Sequence, residues 1–214
     1  MSARAVAFEV LLRVLTDSAW AAPTLDAEIR RVGLDGRDAA LATELTYGVL
    51  RTGLHLEAEL MKHAKGATRW RRRPDMRTTM LLAAYQIAFL DRVPDHAAVN
   101  DAVERVKLKR GRKVAGFVNA VLRNFGRSLA DLPASADGGR DTRLIDSMVA
   151  GTPKWLQKAL TAVIGADGMR AFVEHGAAAP QVSLRLRAGE ARDEWLQRLA
   201  EAAPQGSFEA GAWA

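Results

Sequence analysis

Two short runs of cations are the residues best placed to do chemistry. Residues 62–73 hold Lys62, Lys65, Arg69, Arg71, Arg72 and Arg73 with no acid between them. Residues 105–113 hold Arg105, Lys107, Lys109, Arg110, Arg112 and Lys113. Both runs fall at helix ends or loops, where long cationic side chains reach phosphate oxygens while staying hydrated. Six such contacts to a single nucleic-acid strand would give a log–log salt slope of about −4. Phe117 and Asn119 follow the second run directly, a ring able to stack on an unpaired base and an amide able to read it. Each feature also has a plain structural use. A charge run is often just a solvated face, and lysine or arginine at a helix C-terminus meets the macrodipole favourably. Phe117 suits a core, and Asn119 suits a bond to a neighbouring backbone.

Other chemistries find little to work with. The chain has no cysteine, so disulfides and thiolate metal sites are excluded. His55, His63, His96 and His175 show no i,i+4 metal spacing. No serine stands in a nucleophile-elbow context. The glycines at 138–139 and 165–168 do not form a G-x-G-x-x-G turn after a strand.

The elements that must position the cations are helices. Apolar residues recur at steps of three and four in five stripes. The first is Phe8, Leu11, Leu12 and Leu15; the second is Leu41, Leu45, Val49 and Leu50, extended by Leu54. Leu81, Leu82, Tyr85, Ile87, Ala88 and Phe89 follow, then Val99, Val103 and Val106. Phe117, Val118, Val121, Leu122 and Phe125 close the series. Gly33 and Gly36 separate a short helix from one after Asp38. Pro74 suits a first turn, Val93–Pro94 is a break with Asp95 as the next cap, and Gly111 is a stop. The pattern predicts six or seven helices before residue 130. Residues 131–141 read as a linker. Helices near 141–149, 154–164, 167–176 and 191–202 follow, with one strand, Ser183–Arg187, whose backbone needs partners.

The charge is uneven. Up to Leu129 there are 22 Lys and Arg against 14 Asp and Glu; from Ala130 onward there are 9 against 11. The first part of the chain is therefore the basic part, which suits a polyanionic partner. No apolar run reaches the ~18–20 residues of a membrane span. The opening MSARAVAFEVLLRVL reads as a first helix, not a signal peptide. The expected compartment is cytoplasmic, with no membrane partner.

Two strings carry a family resemblance: AAYQIAFLDRVPDHAAVNDAVERVK at 83–107 and AGFVNAVLRNF at 115–125. Residues 3 to about 129 resemble the NusB-like helical RNA-binding module, most closely the version that begins the RsmB (Sun/Fmu) family of 16S rRNA cytosine-C5 methyltransferases. TPKWLQKAL and APQVSLRLR resemble segments of that family beyond the module, with Arg187 where asparagine is usual. The resemblance implies an all-α NusB-like bundle over 1–130, the linker at 131–141, and a smaller helical or α+β extension over 142–214. It implies RNA binding, to rRNA, by a docking module that performs no methyl transfer alone. The family's catalytic cysteines and S-adenosylmethionine site would belong to a further domain, so no cofactor is expected in this chain.

By position, the resemblance places Arg4, Lys113, Phe117, Asn119 and Arg123 on the RNA face. The basic runs add Arg71, Arg72, Arg73, Lys109, Arg110 and Arg112. His96, Asn100 and Asp101 match a segment whose role is structural. Many members carry arginine where this chain has Leu81, which leaves Arg77, one turn earlier, as the candidate replacement. Two other readings stay open. One is a free-standing antitermination-type adaptor that binds RNA with a ribosomal or transcription protein. The other is a helical interaction module without RNA.

Overall fold

The computed structural model describes residues 2–90, 92–130, 148–149, 152–177 and 192–202. The linker at 131–141 and the strand at 183–187 lie outside the described residues. Among those described, all regular structure is helical. Two compact units divide the chain, Met1–Ala179 and Pro180–Ala214.

The first unit is organised around α4 (Pro74–Phe89). Every residue from Thr78 to Ala88 is buried, so this helix is covered on all sides by the others. Around it lie α1 (Ala3–Asp17), α3 (Gly36–His63), α5 (Asp95–Arg110) and α6 (Arg112–Ala130), while α2 (Ala21–Val32) packs on α1 and α3. A 3-10 turn, Arg69–Arg72, leads into α4 and buries Trp70. The core includes Phe8, Leu45, Leu56, Leu60, Met80, Leu122 and Phe125. Two buried hydroxyls are satisfied locally: Thr46 and Thr52 donate to the Ala42 and Gly48 carbonyls at 2.7 and 2.8 Å.

Local signals explain the boundaries. The Asp35 carboxylate accepts from the Asp38 amide at 2.8 Å, so α3 begins at Gly36, ahead of the expected start after Asp38. Gly33, at φ 68°, closes α2 in the left-handed region. Pro74 is the first residue of α4. The residue before α5 is Pro94, which leaves Asp95 in the first turn and not at the cap.

Three expected core residues face outward. Leu15, Leu50 and Leu54 are 38%, 40% and 57% exposed. On α3 the inner face runs Leu45, Val49, Leu56, Leu60; Leu50 and Leu54 stand about 140–180° around the helix from Leu45. Gly48 shows why α3 sits where it does: a Cβ there would lie 2.0 Å from the Tyr85 ring. The Tyr85 hydroxyl in turn donates to Glu44.

Further along the chain, α7 (Lys154–Ala177) touches α3 and adds Met169 and Val173 to the core. It breaks at Gly165, where φ is 75°, which matches the two helices expected at 154–164 and 167–176. In the second unit, α8 (Arg192–Ala202) has Asp193 and Glu194 in its first turn, and the Arg198 guanidinium lies over the Trp195 ring.

Candidate nucleic-acid interface

Acids inside the first unit divide the arginines into two populations. Glu57, buried on α3, accepts from Arg71 of the 3-10 turn and from Nε of Arg77 on α4 at 2.5 Å. Glu28, buried on α2, accepts from Arg31 at 2.6 Å and pairs with Arg13 of α1 at 3.3 Å. Asp75 receives Arg110: Nε donates to Oδ2 at 3.0 Å and Nη2 to Oδ1 at 2.8 Å. These charges are spent holding helices together.

What remains exposed is more selective than the two runs suggest. Lys62 pairs with Glu59, Lys107 with Glu104, and Arg105 with Asp101. Arg105 and Lys109 also cover the Phe8 ring, at 4.4 and 5.4 Å. Lys65, Arg69, Arg72, Arg73, Arg112 and Lys113 are exposed and have no acidic partner among the described residues. The Arg110–Asp75 pair brings the last four of these together at one corner. Arg72 and Arg73 immediately precede α4, Arg112 and Lys113 open α6, and the pair clamps those two helix starts to each other. The α4 start has no capping side chain, and its first turn carries the Asp75 carboxylate that receives Arg110.

From the corner the charge continues along α6. Arg112, Lys113, Gly116, Ala120, Arg123 and Arg127 fall within about 100° of one another on the helical wheel, opposite Val118, Leu122 and Phe125. The stripe from Arg112 to Arg127 is about 22 Å long. Its two central positions, Gly116 and Ala120, are small and exposed, and nothing lies within 4 Å of a Cβ placed on Gly116. Asn119 flanks the stripe, and its Oδ1 accepts from Arg123 Nε at 3.0 Å. That bond engages Nε alone of the exposed Arg123 side chain.

The sequence-predicted residues therefore separate. Arg72, Arg73, Arg112, Lys113, Asn119 and Arg123 share the corner and stripe. Arg71, Arg77 and Arg110 are tied to buried or half-buried acids. Lys109 packs over Phe8, and Phe117 is half-buried against the core. Arg4 donates to the Gln86 side chain at 2.5 Å, about 16 Å along α4 from Asp75. Of the three residues expected to be structural, Asp101 pairs with Arg105, whereas His96 and Asn100 are exposed. Sequence reasoning missed Arg127, Gly116 and Ala120. Continuing the helical period through α6 past Arg123 would have found them.

The residues of 1–127 match the NusB family model. The chain is 35% identical over 170 residues to ribosomal RNA small subunit methyltransferase B of Vibrio cholerae, covering 75% of this chain and 35% of that protein. It is 30% identical over 203 residues to the protein of the same name from Erwinia tasmaniensis, covering 94% and 44%. The corresponding Shewanella oneidensis protein is 27% identical over 203 residues, covering 93% and 44%. The chain spans less than half the length of each of these relatives. With an all-helical bundle over the matched residues, the chain belongs to the NusB family.

Proposed function

We propose that this chain is an RNA-docking module that grips unpaired rRNA along the corner and stripe, serving a small-subunit rRNA methyltransferase of the kind its relatives are named for. One observation carries the reading. The Arg110–Asp75 pair joins two separate sequence runs so that the exposed Arg72, Arg73, Arg112 and Lys113 lie at two neighbouring helix starts. With Arg123 and Arg127 the face offers six cations, which corresponds to a salt slope of about −4 on single-stranded RNA. The phosphate contacts supply affinity and orientation, and methyl transfer is left to other residues.

The test is fluorescence anisotropy of a labelled single-stranded rRNA fragment across a salt series. Charge reversal of Arg112 and Lys113 is expected to abolish retention at moderate salt while circular dichroism stays helical. An unchanged binding curve would favour a helical interaction module without RNA.

A further inference from the structure

A cleft of about 330 Å³ opens between the end of α4, the first turn of α5 and the second half of α6. Its floor is apolar, built from Ile87, Val99, Leu122 and the backbone of Gly126. Its rim is polar, with Asp95 and His96 on one side and Arg123 and Arg127 on the other. The same two arginines form the far end of the α6 stripe. An apolar floor of this size beneath a cationic rim is complementary to a flat, weakly polar ring that carries a phosphate.

Gly126 supports the assignment. Glycine inside a helix is destabilising relative to alanine, so it needs a reason. Packing does not supply one: a Cβ on Gly126 would meet Asp95 Oδ2 at 3.4 Å and Ile87 Cγ2 at 3.5 Å, ordinary contact distances. Gly48, by contrast, is required by the Tyr85 ring. What the missing side chain does at 126 is keep the cleft floor open.

We infer that this cleft holds one unpaired nucleotide of the bound RNA, its base on the Ile87–Val99–Leu122–Gly126 floor and its phosphate on Arg123 and Arg127. The inference rests on the RNA-docking reading and adds a base-holding subsite to it. The Asp95 carboxylate on the rim, with Oδ2 3.4 Å from a Cβ placed on Gly126, accepts hydrogen bonds but repels phosphate, which sets the nucleotide's orientation. It also favours bases with an exocyclic amino group, so uridine binds least.

The test uses the whole chain and a fluorescein-labelled ten-nucleotide RNA, intact or with a single abasic nucleotide at each position in turn. Wild type is expected to bind the intact strand about tenfold more tightly than the strand abasic at one position. Gly126→Leu, which fills the cleft with a good helix former, brings the intact strand down to the abasic affinity with an unaltered salt slope. Gly126→Ala gives a smaller loss and checks that folding is not the cause. Wild-type affinity in Gly126→Leu, or equal binding of intact and abasic strands by wild type with the salt slope present, overturns the cleft assignment alone. Absence of RNA binding by wild type overturns the docking reading as well.

Discussion

Arg110 and Asp75 form a two-point ion pair between the end of α5 and the start of α4, with Nε–Oδ2 at 3.0 Å and Nη2–Oδ1 at 2.8 Å. This contact converts two basic stretches separated by more than thirty residues of sequence into one surface. It also removes Arg110 from the pool of charge available to a partner.

Asp75→Asn should therefore destabilise the fold modestly, by about 1 kcal/mol, because both side chains keep partial solvent access. RNA affinity at low salt should not fall through lost charge, since Arg110 is released. Urea denaturation and anisotropy on the same preparation check both halves. A loss of RNA affinity with no loss of stability would mean that the pair's alignment of the two helix starts, and not charge alone, sets the affinity.

Glu57 is a more costly residue to change. It is buried and accepts from Arg71 and Arg77, so Glu57→Gln leaves two guanidinium groups without their counter-charge and should cost about 2 kcal/mol. Arg77→Gln should likewise lower the urea midpoint while leaving the RNA salt slope unchanged. Arg112→Gln with Lys113→Gln should do the opposite, reducing the slope by about 1.4 with an unchanged midpoint.

The same glycine-to-alanine change should have opposite signs at two sites. Gly48→Ala drives a methyl into the Tyr85 ring and should destabilise by about 1–3 kcal/mol. Gly116→Ala meets nothing within 4 Å and should stabilise by about 0.5–1 kcal/mol through helix propensity. Thermal melts of the two variants beside wild type settle the comparison.

Acid should weaken the fold in two stages. Burial holds His63 below its ordinary value near 6.5, with the Glu59 charge opposing and Lys62 adding to the effect. A depressed histidine contributes stability that is complete above its unfolded value and is lost as pH falls through the folded one. Glu28 is held below the usual carboxylate range by the Arg31 hydrogen bond, against burial, with the Arg31 and Arg13 charges assisting. Its contribution has the same sign and is lost at lower pH. Urea midpoints should fall below about pH 6.5, less steeply in His63→Phe, and again in the acid range, less steeply in Glu28→Gln.

The helical period made α4 and α6 legible from sequence, because Leu81–Ala88 and Phe117–Phe125 carry unbroken apolar faces. The glycine at 165 and the proline at 74 marked real breaks. Arginine was harder to read. Arg71, Arg77 and Arg110 look identical to Arg72, Arg73 and Arg112 in a charge count, and only tertiary pairing with Glu57 and Asp75 tells them apart. The acids lie 14 to 35 residues away in sequence, a separation at which no local rule applies. The cleft was illegible for the same reason, since it needs α4, α5 and α6 at once.

The most direct test is ultraviolet cross-linking of the folded chain to a single-stranded small-subunit rRNA fragment, with attachment sites mapped by mass spectrometry. Cross-links should fall on residues 72–73 and along the exposed face of 112–127, and should disappear together as salt rises. Attachment concentrated on α2 or α7, with the α6 face unmarked, would contradict RNA docking on this surface.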